Sequence, residues 1–285
     1  GRYVSVGPVG TLAIPATLRD SLVARLDRLS TEKLIAQVGA TIGREFGYDV
    51  VAAAAPCDEP TLRAALAKLV EAELVFQRGT PPNASYVFKH ALVQDAAYGS
   101  MLTSARRRHH ARLAEVYIDR FPEVAATEPE VVAHHLSEAD DHAQAAAYWH
   151  RAGLRTLARS APREAVAHLR RALGELGHRP EGPGRLLNGP ALHAALGEEH
   201  LIFEGYSSPN VEHHLSRARD LCAELGHPPA TGPVTWGLWA CYLVRGEYDR
   251  SRELSDDFLA ACERAGDADG LVEAYMMSGI DRYYV

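Results

Sequence analysis

Residues 149–173 read WHRAGLRTLARSAPREAVAHLRRAL, and the spacing of small and apolar side chains in this stretch decides the architecture of the second half of the chain. Trp149, Ala152 and Gly153 stand three and four positions apart, and so do Ala165, Leu169, Ala172 and Leu173. That is the interval at which side chains share a helical face. Gly153 and Ala165 are the small residues at the point where two antiparallel helices must approach closely, while Trp149 and Leu169 fill the space around that crossing.

A Trp, a small residue beside Gly, then Ala, a large apolar residue and Ala is the tetratricopeptide pattern. A second, degenerate unit has Leu238, Tyr242, Gly246, Tyr248 and Ser251, with Trp239 where the pattern prefers Gly. A third opens at Leu271 and reaches Gly279, which follows Trp239 by 40 residues, longer than the roughly 34 of the standard unit. Residues His178 to Gly184, rich in Pro and Gly, are expected to form a loop, followed by helices around Ala191–Phe203 and Val211–Leu225. Such units bury their apolar faces only against neighbours, which predicts a curved solenoid.

The first half has a different order. Residues 1–11 hold Gly1, Gly7, Pro8 and Gly10 without periodicity and read as a linker. Leu18, Leu22, Val23, Leu26 and Leu29 share one helical face. Ser30 and Thr31 then precede a helix through Leu34, Ile35 and Val38 that stops at Gly43, and a short helix fits Tyr48–Ala55. Asp58 caps a fourth, with Pro60 in its first turn and Leu62, Leu66, Leu69 and Val70 as its stripe. The period then drops to two. Leu74 to Arg78 and Tyr86 to Phe88, joined through Gly79-Thr80-Pro81-Pro82-Asn83, predict a β-hairpin. Helices closed by a two-stranded hairpin follow the order of a winged helix, in which the helix before the hairpin takes the recognition position. Here that helix offers only Arg63 and Lys68 among alanines. Helices resume through Tyr98 and Met101 and from Ala105 to Phe121.

The expected class is therefore mainly α: a winged-helix-like domain with a small β-hairpin, followed by a tetratricopeptide-like α-solenoid. The expected boundaries are a linker at 1–11, the winged-helix-like domain at 12–100, a helical connector at 101–127 and repeats at 128–285.

Composition narrows the function. The net charge is −7, and a chain that wraps nucleic acid needs an excess of Lys and Arg. Cys57, Cys222, Cys241 and Cys262 lack the short paired spacings of a zinc site and are too sparse for a secreted disulfide framework, which predicts a reducing cytoplasm. No apolar run approaches the roughly 18 residues that span a bilayer. The chain starts without Met and ends at Val285 within a helical pattern, so it reads as part of a longer polypeptide.

Four runs carry a family resemblance: Ile14 to Leu29 (IPATLRDSLVARLDRL), Ile42 to Phe46 (IGREF), Phe88 to Tyr98 (FKHALVQDAAY) and Trp236 to Trp239 (WGLW). Over residues 12–285 the chain resembles the signal-transduction ATPases with numerous domains, in the branch where a class III adenylate or guanylate cyclase domain precedes the ATPase and tetratricopeptide repeats follow it. The resemblance implies a cytoplasmic regulatory portion without catalysis of its own, since no Gly-x-x-x-x-Gly-Lys-Ser/Thr loop is present to cradle phosphates. It implies that ATP or ADP and magnesium belong to the parent rather than to this portion. It also implies an upstream nucleotide-binding domain as partner in cis and an effector, protein or small molecule, on the repeats.

His90 is the principal candidate site residue. The Phe88-x-His90 run is similar to the place where related ATPases set a histidine against the β-phosphate of ADP; the structural alternative is a helix cap or a packing residue. Trp236, Trp239, Tyr242 and Tyr248 are candidates for a partner-binding groove, with core packing the plainer reading. Arg106-Arg107-Arg108-His109-His110 with Arg112 spreads round a helix and reads as a solvated face. The pairs His109-His110, His134-His135 and His213-His214 point about 100° apart on a helix and cannot share one ion without help from elsewhere, so no metal site is expected. No Gly-x-Ser-x-Gly elbow is present. Two other functions fit the same order of elements: a DNA-binding transcriptional regulator, which needs a basic recognition helix, and a repeat scaffold with no nucleotide link.

Overall fold

A computed structural model of the chain describes residues 24–26, 28, 30–159, 161–178, 183–224 and 232–284. The expected linker at 1–11, most of the helix expected at Leu18–Leu29, and residues 179–182 of the expected loop lie outside them. The described residues divide into two compact units, with the break between Glu123 and Val124.

The first unit runs α1 (Thr31–Ile42), β1 (Glu45–Gly47), α2 (Tyr48–Ala54), α3 (Glu59–Glu71), β2 (Val75–Arg78), β3 (Ser85–Phe88), α4 (Ala91–Gly99) and α5 (Thr103–Arg120). α3 starts where capping chemistry places it: Asp58 Oδ1 accepts the Thr61 N–H at 3.0 Å, with Pro60 in the first turn. Leu62, Leu66 and Leu69 are buried as the stripe predicts.

The predicted hairpin forms, and a third strand joins it. The sheet is antiparallel in the order β1-β3-β2, with Phe46 opposite Tyr86 and Val75 opposite Phe88. A three-residue strand is too short to show alternation, so β1 falls in the gap between the helix expected to stop at Gly43 and the one expected at Tyr48–Ala55. Phe46 fastens it, stacking on Tyr86 at 5.6 Å and contacting Phe88 at 5.6 Å. Gly39 of α1 makes room, since a Cβ there would lie 2.6 Å from the Phe46 ring. α5, expected as a connector, contributes Leu113 and Val116 to this core.

α6 (Pro122–Thr127) straddles the break. The second unit comprises α7 (Pro129–Glu138), α8 (His142–Ala158), α9 (Pro162–Gly177), α10 (Pro183–Glu204), α11 (Pro209–Glu224), α12 (Gly232–Val244), α13 (Tyr248–Ala265) and α14 (Ala268–Tyr284). From α7 to α14, each helix packs on the next, the serial contact of a helical array. α10 begins at Pro183, inside the expected loop, because Pro suits a first helical turn.

The α8–α9 crossing matches the predicted register. A Cβ on Gly153 would lie 2.6 Å from Leu169 Cδ2 and 3.6 Å from the Ala165 carbonyl oxygen, and Trp149, Ala165 and Leu169 are buried. Gly153→Leu is expected to lower stability by about 1–3 kcal/mol through overpacking. A melting temperature equal to that of the wild type would show that this crossing can open at no cost.

The later repeats depart from the predicted register. A Cβ on Gly279 would meet nothing within 4 Å, whereas one on Gly237 would lie 2.6 Å from Leu215 Cδ1. The close crossing of the second hairpin region is therefore at Gly237. Trp239 occupies core space, and its indole N–H donates to buried Asp281 at 3.0 Å.

Candidate functional site

Within the second unit, α11, α12 and α13 surround a cleft of about 430 Å³. Arg219, Asp220 and Ala223 come from α11, Thr235 and Tyr242 from α12, and Arg250, Glu253, Leu254, Asp257 and Phe258 from α13. Helical periodicity explains the set: Arg250, Glu253, Leu254 and Asp257 are three and four apart and share a face. Gly246, with φ +74°, makes the turn that folds α13 back along α12.

Arg250 organises one wall. It donates to Tyr242 Oη at 2.8 Å, to Glu212 Oε1 at 2.9 Å and to Glu247 Oε2 at 2.6 Å, and its guanidinium lies 4.0 Å from the Tyr242 ring centroid. Burial pushes the Tyr242 phenol up from its ordinary pKa, against the opposing pull of Arg250. Arg219 makes no hydrogen bond or ion pair among the described residues and faces the same cleft. Leu254 and Phe258 supply apolar surface. The combination suits a ligand with an apolar body and charged ends.

The four aromatic candidates separate. Tyr242 is buried and lines the cleft; Trp239 is buried on Asp281; Trp236 packs on Trp239 with centroids 4.9 Å apart; Tyr248 is 37% exposed and stacks on Tyr284. Core packing accounts for Trp239. Arg219 and Arg250 were missed in the sequence because nothing local distinguishes them from other helix-surface arginines.

In the first unit His90 sits at the N-cap of α4 with extended backbone (φ −136°, ψ 144°) and an exposed side chain that makes no capping hydrogen bond. Its carbonyl accepts the Val93 N–H at 3.0 Å.

α3 is a poor reader of base edges. Arg63 pairs with Glu59 at 2.6 Å and lies over the Tyr48 ring, and Lys68 pairs with buried Glu32 at 2.6 Å, which holds that carboxyl below its usual range. Arg107, Arg108 and Arg112 on α5 are exposed, as expected of a solvated face, but Arg106 is half-buried and two of the arginines also hold helix ends. Arg106 donates to the carbonyls of Tyr98 and Gly99, both at 3.1 Å, and Arg112 to that of Ala53 at 3.0 Å. These carbonyls are at the ends of α4 and α2, where intrahelical partners run out.

His213 and His214 do not act as an isolated pair. His193 and His200 of α10 face them; His193 and His214 share a hydrogen bond between Nδ1 atoms at 3.0 Å, and His200 stacks on His214 at 5.4 Å. Burial, reinforced by neighbouring histidines, pushes both His193 and His214 down to about 4.

No family model matches the chain, and no curated protein matches it. A solved structure that does match is a signal transduction ATPase with numerous domains carrying a tetratricopeptide repeat sensor, from Pyrococcus horikoshii. Identity is 12%, the TM-score is 0.31, and the alignment covers 93% of this chain and 49% of that one. The chain thus spans about half the length of that protein. Among the described residues no helix is long and apolar enough to cross a membrane.

Proposed function

We propose that this chain is the regulatory and interaction portion of a larger signalling ATPase. In this reading the second unit binds an effector in the α11–α13 cleft, and the first, a winged-helix-like domain, controls an upstream nucleotide-binding domain. The domains proposed are those expected from the sequence: winged helix at 12–100, connector at 101–127 and repeats at 128–285. The portion itself is non-catalytic and cytoplasmic, and ATP or ADP with magnesium belongs to the parent, as would any cyclase activity.

The observation that carries the reading is the cleft, where Arg219 makes no hydrogen bond or ion pair among the described residues, beside a Tyr242–Arg250 wall built by three successive helices. Ligands that bridge such helices bias how they pack, which is the physical requirement of a sensor. A thermal-shift screen of amino acids, short peptides and nucleotides against this chain should find compounds that raise the melting temperature. The shift should vanish in Arg219→Glu, with the ligand-free variant expected to melt like the wild type. Absence of any hit, or hits indifferent to Arg219→Glu, would remove the effector site.

His90 supports the link to nucleotide. An exposed imidazole at a helix N-terminus suits a phosphate. Its loss should remove a hydrogen bond to a charged group, worth roughly 1.5–3 kcal/mol. His90→Ala in the full-length polypeptide is therefore expected to weaken ADP about tenfold to a hundredfold, and ATP less. Equal ADP affinities with folding intact would leave the first unit a spacer. The DNA-binding reading is disfavoured because both cations of α3 are engaged in ion pairs.

A further inference from the structure

α8 starts at His142 and α9 ends at Gly177, so antiparallel packing sets the first residue of one helix against the last turn of the other. Three side chains meet there. His142, Glu175 and His178 each offer a ligand atom, and these atoms all lie within 4.8 Å of one another. Glu175 and His178 are three residues apart, and His178 keeps helical backbone (φ −78°, ψ −8°), so both project from one face.

We propose that His142, Glu175 and His178 form a binding site for a divalent transition-metal ion of the zinc type, with a fourth position open to water or an external ligand.

The tautomer of His178 is suitable. Its Nδ1 is 2.9 Å from the Gly174 carbonyl oxygen. A carbonyl only accepts, so Nδ1 carries the proton and Nε2 presents a bare lone pair. Metal-ligating histidines are commonly oriented in this way. His142 Nδ1 lies 2.6 Å from Glu175 Oε2, an imidazole and a carboxylate sharing a proton that a metal ion would displace.

The donor set also fits. Two imidazoles and one carboxylate suit zinc and its neighbours, and three protein ligands leave one tetrahedral position. Bonds of about 2.0–2.2 Å at tetrahedral angles place ligand atoms about 3.3 Å apart. Binding therefore asks His142 and Glu175 to open slightly and His178 to swing inward. The side chains of His142 and Glu175 are only partly buried and His178 is exposed, with the two imidazoles stacked at 4.8 Å and 14°, so the motion is a rotation of side chains at a helix end. The C-terminus of α9 favours a cation and the N-terminus of α8 opposes it. The Glu175 charge tips the balance. A bound ion would clip the open end of the first hairpin, independently of any ligand in the α11–α13 cleft.

The test is Zn²⁺ titrated into this chain in competition with a chromophoric chelator, with Co²⁺ as a spectroscopic probe. The wild type should bind one equivalent, and Co²⁺ should give the intense visible bands of a four-coordinate ion. Losing an outer-shell partner alone costs about 10- to 100-fold, so removing a direct ligand should cost at least about a hundredfold. His178→Ala and Glu175→Gln should both show that loss. His178→Ala gives up the contact to the Gly174 carbonyl and the stacking on His142 but leaves the α8–α9 packing in place, so a circular-dichroism melt equal to the wild type separates ligand loss from unfolding. Failure of the wild type to compete for Zn²⁺, or unchanged affinity in both variants, would overturn the proposal.

Discussion

A Leu215→Ala variant is expected to lose about 2–5 kcal/mol of stability in the second unit, the usual range for emptying a fully packed leucine site. Leu215, on α11, is 2% exposed. It is held between two glycines on neighbouring helices, Gly197 of α10 and Gly237 of α12, where a Cβ on either would collide with its side chain. Backbone on both sides limits how far the site can collapse, which places the cost in the upper part of that range. All three tryptophans, Trp149, Trp236 and Trp239, are in the second unit, so urea unfolding followed by their fluorescence reads this unit. Gly237→Ala should also destabilise, and the double variant should be less damaging than the sum of the two, since the added methyl enters the space vacated by Leu215. Strict additivity would mean that the two positions do not share a cavity.

Asp281→Ala is expected to cost about 2–4 kcal/mol, because hydrogen bonds to a charged group are worth roughly 1.5–3 kcal/mol and an orphaned buried donor costs 1–3. Asp281 is 2% exposed and accepts from Trp239 Nε1 at 3.0 Å, Ser251 Oγ at 2.8 Å and Ser255 Oγ at 2.7 Å. The two serines can fall back on the carbonyls of Tyr248 and Arg252, each at 3.0 Å. The indole has no such substitute, so the loss concentrates on Trp239 and on the docking of α14. Asp281→Asn retains an acceptor and should fall between the alanine variant and the wild type. Urea midpoints equal for all three proteins would show that water reaches the indole and satisfies it.

Both positions mark the boundary between what local pattern and distant contact determine. The stripes of α3 and of the α8–α9 hairpin were legible because 3.6 residues per turn is a covalent property of the helix and needs no partner to be read. The Asp58 cap was legible for the same reason, since donor and acceptor lie three residues apart. The register of the later repeats was not. Trp239 looked like a misplaced Gly until Asp281, 42 residues away, supplied its partner, and Gly279 looked like a crossing residue although it faces open space. β1 escaped because three residues carry no period, and its pairing partner β3 lies some forty positions on.

The candidate sites divide in the same way. His90 could be singled out from the chain alone, because the junction of strand and helix is local and its neighbours are Phe88 and Ala91. The cleft and the His142–Glu175–His178 cluster could not. Arg219 and Arg250 are ordinary helix-surface arginines in one dimension, and His142 meets Glu175, 33 positions further on, only after the chain between them has folded into an antiparallel pair. The sequence by itself determined where helices form and which residues they turn inward, since both follow from short-range periodicity. The choice of which buried and polar groups meet was left to tertiary structure, because side chains far apart in the chain become neighbours only when close packing at residues such as Gly153, Gly197 and Gly237 sets the helices against one another.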